Sequence, residues 1–188
     1  YAGCDLNRRW ENPDEIAHPE IFKTKEMVLG FANHRKVDFI IDLHGHAGAF
    51  NAFYYCNYRE ENNFCKLFPY INSKDSNLIN YYQCKFSMPK FKKGTGRITL
   101  FNNLDLDNID CLETSFYGIT KHGPYQNKYH TIDSLKQIGR DVCLGMLNYV
   151  YQCEGIRLKN IGFDDFLKDA MKDDPEAIEE YKNMEDDS

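Results

Sequence analysis

Three features of the chain predict an α/β fold, a mixed β-sheet flanked by helices. Residues 37–41, Val-Asp-Phe-Ile-Ile, form the most apolar run and contain no glycine or proline, the usual composition of a buried central strand. Residues 111–116, Cys-Leu-Glu-Thr-Ser-Phe, read as a second strand. Amphipathic stretches surround them, the longest with Ile132, Leu135, Ile138, Val142, Met146 and Tyr149 at helical spacing. Sheets of this kind place ligand sites at the carboxyl ends of their central strands.

Each element follows in order. Residues 1–18 read as a polar loop with a turn at Asn12-Pro13-Asp14. Pro19 suits the first position of a helix, and Ile21, Phe22, Val28, Leu29 and Ala32 give that helix an apolar face to about Arg35. The apolar strand then ends near His44, and residues 51–56 supply a run of β-formers. Residues 60–84 read as two short helices broken near Phe68-Pro69. A basic loop, residues 90–97, leads into an expected strand at 98–101, and the strand at 111–116 follows. A loop with Gly118, His122, Gly123 and Pro124 precedes the long helix, expected over 131–153. After Lys159 the composition turns strongly acidic, so the chain divides at 1–159 and 160–188, the latter read as a solvated tail or short helices.

Composition narrows the function. A length of 188 residues suits one domain or most of a larger one, and 42% hydrophobic residues suffice for a real core. The net charge of −6 argues against nucleic acid as a partner. No apolar run approaches the length of about 18 residues that a membrane span needs. Seven cysteines lie at irregular spacing without a Cys-x-x-Cys, and read as reduced thiols of a cytosolic protein, a secreted disulfide scaffold being the alternative. The chain starts at Tyr1 and reaches a motif-dense segment within four residues, so it is expected to be the C-terminal part of something longer.

Several residues can carry chemistry. In Asp42-Leu43-His44-Gly45-His46, strand alternation puts Asp42, His44 and His46 on one face, suiting a metal or acid/base site; a structural histidine bonded to backbone or carboxylate is the alternative. Asn7 and Arg8, in Cys4-Asp5-Leu6-Asn7-Arg8-Arg9-Trp10, suit a planar carboxylate, or are a solvated surface loop. Glu113 lies inside an apolar strand, where a lone carboxylate is costly unless paired or functional. It reads as a general base or as a glutamate on the solvent face of an edge strand. Lys90, Lys92, Lys93 and Arg97 form the only dense basic cluster.

In combination, Asp-Leu-Asn-Arg-x-Trp, His-Pro before a helix, Asp-x-His-Gly-His, Gly-Thr-x-Arg and Leu-Glu-Thr-Ser-Phe-Tyr-Gly resemble the cytosolic carboxypeptidase family, a branch of the zinc metallocarboxypeptidases that includes tubulin deglutamylases. The match runs from about residue 2 to residue 151. The resemblance implies a zinc-carboxypeptidase-like fold, incomplete at its N-terminus, and a Zn2+ cofactor. It implies His44 as a zinc ligand, His46 as a neighbour that does not ligate, and Glu113 as the general base. Asn7 and Arg8 match the pair that holds the substrate's terminal carboxylate, and Arg97 matches an arginine near the cleft that helps read acidic side chains. The implied activity is removal of C-terminal or branch glutamates from acidic protein tails such as tubulin, in the cytoplasm or at microtubules and cilia.

The chain departs from the family pattern in three places. It contains no His-x-x-Glu, the motif that carries the other two zinc ligands, and the family's oxyanion-stabilising arginine upstream is also missing. Asp110 stands three residues before Glu113, where the family usually has tyrosine. An isolated chain is therefore expected to be inactive. The rival reading is a non-catalytic homologue serving as a structural or binding subunit of a larger assembly. A deacylase of the aspartoacylase type is a third, opposed by the Asp-Leu-Asn-Arg-x-Trp and His-Gly-His segments.

Overall fold

Pro19 has no amide hydrogen to leave unsatisfied, and α1 starts there and runs Pro19–His34. The turn before it is held by Asp14, whose Oδ1 accepts from the amides of Ile16 and Ala17 at 2.9 and 2.7 Å. In chain order β1 (Ile40–His46), β2 (Ala52–Cys56), α2 (Phe64–Asp75), β3 (Lys85–Phe86), α3 (Gly96–Asn103), β4 (Ile109–Ser115), β5 (Gly118–Ile119), β6 (Lys128–Tyr129) and α4 (Ile132–Lys159) follow. This computed structural model describes residues 3–59, 63–121, 123, 126–159 and 172. His122, Pro124 and all of the acidic segment after residue 159 except Lys172 lie outside the described residues. Among those described, no helix is long and apolar enough to cross a membrane.

The sheet is mixed, as expected, with strand order β1-β4-β2-β3. β1 and β4 run parallel, β2 is antiparallel to β4, and β3 is parallel to β2. Alternation gives each strand two faces. On one face Ile41, Leu112 and Tyr54 join Leu67, Phe68, Ile138 and Val142 in the larger core, formed with α2 and α4. On the other face Ile40 and Ile109 pack with Val28 and Leu29 of α1 and Leu100 and Phe101 of α3. That face is apolar only where β1 and β4 begin. Toward their carboxyl ends it carries Asp42, His44 and His46 beside Cys111, Glu113 and Ser115.

A buried polar chain ties the layers together. The Tyr54 hydroxyl donates to Asn72 Oδ1 at 2.6 Å, and Asn72 Nδ2 donates to the Asp141 carbonyl at 2.7 Å. Gly145 of α4 lies against Asn72, where any Cβ would collide with the amide. Lys121 Nζ donates to the carbonyls of Ser73, Ser76 and Ile79 at 2.6 to 2.7 Å, closing the C-terminal end of α2.

Four expectations are corrected. The first apolar strand covers Ile40–His46, starting later than residue 37 and running past His44, and it lies at the edge of the described sheet with Leu43 72% exposed. The central strand on the site side is β4. Residues 98–101 are helical: Ile98, Leu100 and Phe101 are buried in α3, which packs on β4. Pro69 lies inside one helix instead of dividing two, because Leu67, Phe68, Tyr70 and Ile71 around it are buried and outweigh the lost backbone bond, a cost of about 3 kcal/mol. The last helix extends six residues beyond the expected end at 153, to Lys159.

Asp110 faces the α2 side, 1% exposed, and its carboxylate has no N–H or O–H donor, with only the Cys56 thiol to bond it. Burial pushes its carboxyl up to about 7, against an ordinary 3.8, with the Cys56 thiol and the Arg97 charge offsetting part of the effect. The folded chain therefore holds this proton more tightly than the unfolded chain, and ionisation costs stability. The cost is absent well below pH 4, grows from about pH 4 to about pH 7, and levels off above. Over that window D110N is expected to gain stability relative to the natural sequence, by up to several kcal/mol in urea unfolding. A pH-independent difference between the two would contradict this assignment.

Candidate active site

The parallel register of β1 and β4 sets His44 opposite Glu113 and Asp42 opposite Cys111. Antiparallel β2 adds Phe53 opposite Glu113 and Tyr55 opposite Cys111. The resulting face opens into a cleft of about 240 Å³. Its sheet side is lined by Asp42, His44, Tyr55, Cys111 and Glu113, and its loop side by Asp5, Asn7, Arg8, Lys92, Thr95 and Arg97. All five residues singled out for function, Asn7, Arg8, His44, Arg97 and Glu113, meet there.

Asp42 Oδ2 lies 2.7 Å from His44 Nε2. A carboxylate accepts, so the ring proton belongs on Nε2 and the lone pair on Nδ1, the tautomer a metal ligand needs. Glu113 is 7% exposed, with Oε2 3.6 Å from His46 Nδ1 and Oε1 accepting from the Cys111 thiol at 3.6 Å. His46 is braced edge-on against the Phe53 ring, centroids 5.1 Å apart. Gly45, between the histidines, faces the exposed Phe116 ring, which would have to move to admit a Cβ.

Donor atoms of His44, Cys111 and Glu113 lie within 4.8 Å of one another. An imidazole nitrogen, a sulfur and a carboxylate oxygen fit a borderline-soft divalent ion such as zinc. Burial, then the charges of Glu113 and Asp42, pushes the Cys111 thiol well up. Burial, then Glu113, also raises the Tyr55 phenol, which stays a proton donor at neutral pH.

The Asn7–Arg8 loop is seated on the Gly-Thr-Gly segment 89 residues away in sequence. Asn7 Oδ1 accepts from the Gly96 amide at 2.9 Å, leaving the Nδ2 donors of Asn7 available. The Trp10 amide donates to the Gly94 carbonyl at 3.1 Å. A Cβ at Gly94 would come within 2.6 Å of the Arg8 carbonyl, and one at Gly96 within 2.8 Å of the Trp10 ring. Lys25 Nζ clamps the far side, donating to the carbonyls of Trp10 and Glu11 at 2.9 Å each. Arg8 is half exposed; its Nη1 donates to the Asn7 carbonyl at 2.8 Å and lies 3.7 Å from Asp5.

The basic cluster does not act as one patch. Lys93 pairs with Glu11 at 2.6 Å. Lys92 lines the cleft with its ammonium 4.6 Å from the Tyr55 ring centre. Arg97 reaches the cleft wall but is 8% exposed and committed to internal acceptors. It donates to the Cys56 carbonyl, to Asn57 Oδ1 at 2.8 Å and to the Ser87 carbonyl at 3.1 Å.

Sequence reasoning left out Tyr55, Cys111 and Thr95. Two-residue alternation could have found Cys111 and Tyr55, since Cys111 precedes Glu113 by two on one strand and Tyr55 shares its face across the next. Thr95 lies in the Gly-Thr-x-Arg segment but is not marked by alternation; its buried hydroxyl lines the cleft without a partner.

A mixed sheet of this order with a cleft at the ends of β1 and β4 is the metallocarboxypeptidase fold. The chain superposes on a metallo-carboxypeptidase from Burkholderia cenocepacia with a TM-score of 0.64, at 15% identity over 80% of this chain and 39% of that one. It also superposes on a metallo-carboxypeptidase from Pseudomonas aeruginosa, with a TM-score of 0.63, 19% identity, and 80% and 40% coverage. In sequence it is related to the cytosolic carboxypeptidases. It is 34% identical to cytosolic carboxypeptidase 2 of Danio rerio over 153 residues, 79% of this chain and 21% of that protein. It is 32% identical to cytosolic carboxypeptidase 6 of Mus musculus over 154 residues, 78% of this chain and 28% of that protein. The chain thus spans under a third of these curated relatives. No protein-family model matches it.

The three acceptors held by Arg97 lose their donor in R97A. The variant is expected to lose about 1.5 to 3 kcal/mol or more in denaturant unfolding. A loss within about 0.5 kcal/mol, the range of ordinary surface substitutions, would mean the guanidinium does not hold these segments together.

Proposed function

We propose that this chain supplies the base-bearing and carboxylate-binding half of a zinc metallocarboxypeptidase site that removes glutamates from acidic protein or peptide tails. The observation that carries the reading is the facing of His44 and Glu113 across the β1–β4 pair, with Asn7 and Arg8 on the wall of the same cleft. His44 would hold the metal, its tautomer fixed by Asp42. When bound, zinc supplies Lewis acidity, lowering the pKa of water toward about 7 and polarising a carbonyl. The protein groups do the rest. Arg8 offers a two-pronged charged contact and Asn7 an amide donor to the substrate's terminal carboxylate. Glu113 accepts a proton from the attacking water and delivers it to the leaving amine, while His46 fixes the orientation of the carboxylate. Lys92, at the cleft wall, is the cation placed to meet a glutamate side chain, and Arg97 shapes that wall.

Glutamylated tubulin tails are the substrate this reading favours, and a cytosolic setting is in keeping with the names of the relatives. The sequence holds no His-x-x-Glu, so His44 is the sole family zinc ligand matched here. A non-catalytic binding subunit is the rival reading, favoured if the full-length protein also lacks that motif, and turnover separates the two.

In E113Q the amide keeps the shape and an oxygen but loses the base. In a full-length enzyme that carries the remaining zinc ligands, release of glutamate from glutamate-ended peptides is expected to fall at least on the order of a hundredfold. Unchanged kcat would return Glu113 to a structural role, and no release by the natural protein would favour the binding subunit. K92A is expected to raise KM for glutamate-ended peptides far more than for neutral ones. Equal effects on both would remove Lys92 from substrate selection.

A further inference from the structure

The cleft contains a sulfur donor that neither the family motifs nor the proposed reaction uses. Cys111 lies on the same face of β4 as Glu113 and beside Asp42 of β1, within 4.8 Å of donor atoms of both His44 and Glu113. It lines the cleft, unlike Cys56, Cys65 and Cys84, and all seven cysteines are free. We propose that His44, Cys111 and Glu113 form a sulfur-containing site, within this chain alone, for a thiophilic divalent cation of the zinc and cadmium class. The inference rests on the reading of His44 as a metal donor, but not on peptidase activity.

The geometry supports all three donors. Asp42 holds the His44 proton on Nε2, so the ring offers its other nitrogen. The Cys111 thiol already points at Glu113 Oε1, 3.6 Å away. On binding, the sulfur–metal bond replaces the S–H bond and the proton passes to solvent, which leaves the Glu113 carboxylate free to coordinate the cation. No electron is transferred, and the cation keeps its charge state. A nitrogen, sulfur and oxygen set at one point selects soft and borderline ions over magnesium or calcium, which want oxygen alone.

The test is a cadmium titration of the whole chain, read by thiolate-to-cadmium charge-transfer absorbance in the near ultraviolet. One saturating site is expected, with magnesium unable to displace it. The absorbance should vanish in C111S and persist in C143S, which removes the exposed cysteine. H44A, at a partly exposed position that should not threaten folding, should also abolish the saturating site while leaving every thiol in place. D42N should weaken binding by about 10- to 100-fold, through the loss of the histidine's partner. Absorbance unchanged in H44A would place the binding thiol elsewhere and overturn the proposal. So would cadmium binding, followed by calorimetry, that depends on His44 but gives no thiolate absorbance. Because no substrate is present, either outcome leaves the peptidase reading to be judged by E113Q alone.

Discussion

The site depends on one pairing, the parallel register of β1 against β4. Two strands of different sequence distance are locked so that His44 faces Glu113 and Asp42 faces Cys111. A one-residue slip of β1 would turn Asp42, His44 and His46 to the opposite face, away from Cys111 and Glu113. The register is held at the other end of the same strands, where Ile40 and Ile109 are packed under α1 and α3. Apolar burial at the start of the pair therefore positions polar chemistry at its end. The same division explains why two strands so rich in apolar residues can carry two histidines and two carboxylates on one face.

Much of this was legible before any coordinates. The apolar runs located β1 and β4, and Pro19 located the start of α1. Strand alternation put Asp42, His44 and His46 together. Misreadings arose where short segments have no period of their own. Ile98-Thr99-Leu100-Phe101 is rich in β-formers, yet it is helical, with Leu100 and Phe101 packed on Ile109 of β4 and Ile98 buried as well. The sequence marks Cys111 only as one of seven reduced thiols, since its neighbours across the sheet come from β1 and β2, not from nearby sequence. The contact of Asn7 with Gly96 lies beyond local reading for the same reason: nothing near either residue names the other.

Electrostatics follows the same separation of local from global. The chain is acidic, with a net charge of −6, but its cleft wall carries Arg8, Lys92 and Arg97. These three cations differ in freedom. Arg97 is locked into the wall, Lys92 rests on the Tyr55 ring, and Arg8 is half exposed and tied mainly to its own loop. A charged ligand entering the cleft would meet the loosely held cations first, while the buried one maintains the shape around them.

Trp10 is the only tryptophan in the chain, and it sits in the loop that carries Asn7 and Arg8. Its indole lies against Gly96, and its amide is bonded to Gly94. The protein thus contains a single indole, at the joint between the Asn7–Arg8 loop and the segment that seats it. Emission from that one ring reports whether the loop is docked or lifted, without a label and without a signal from any other indole.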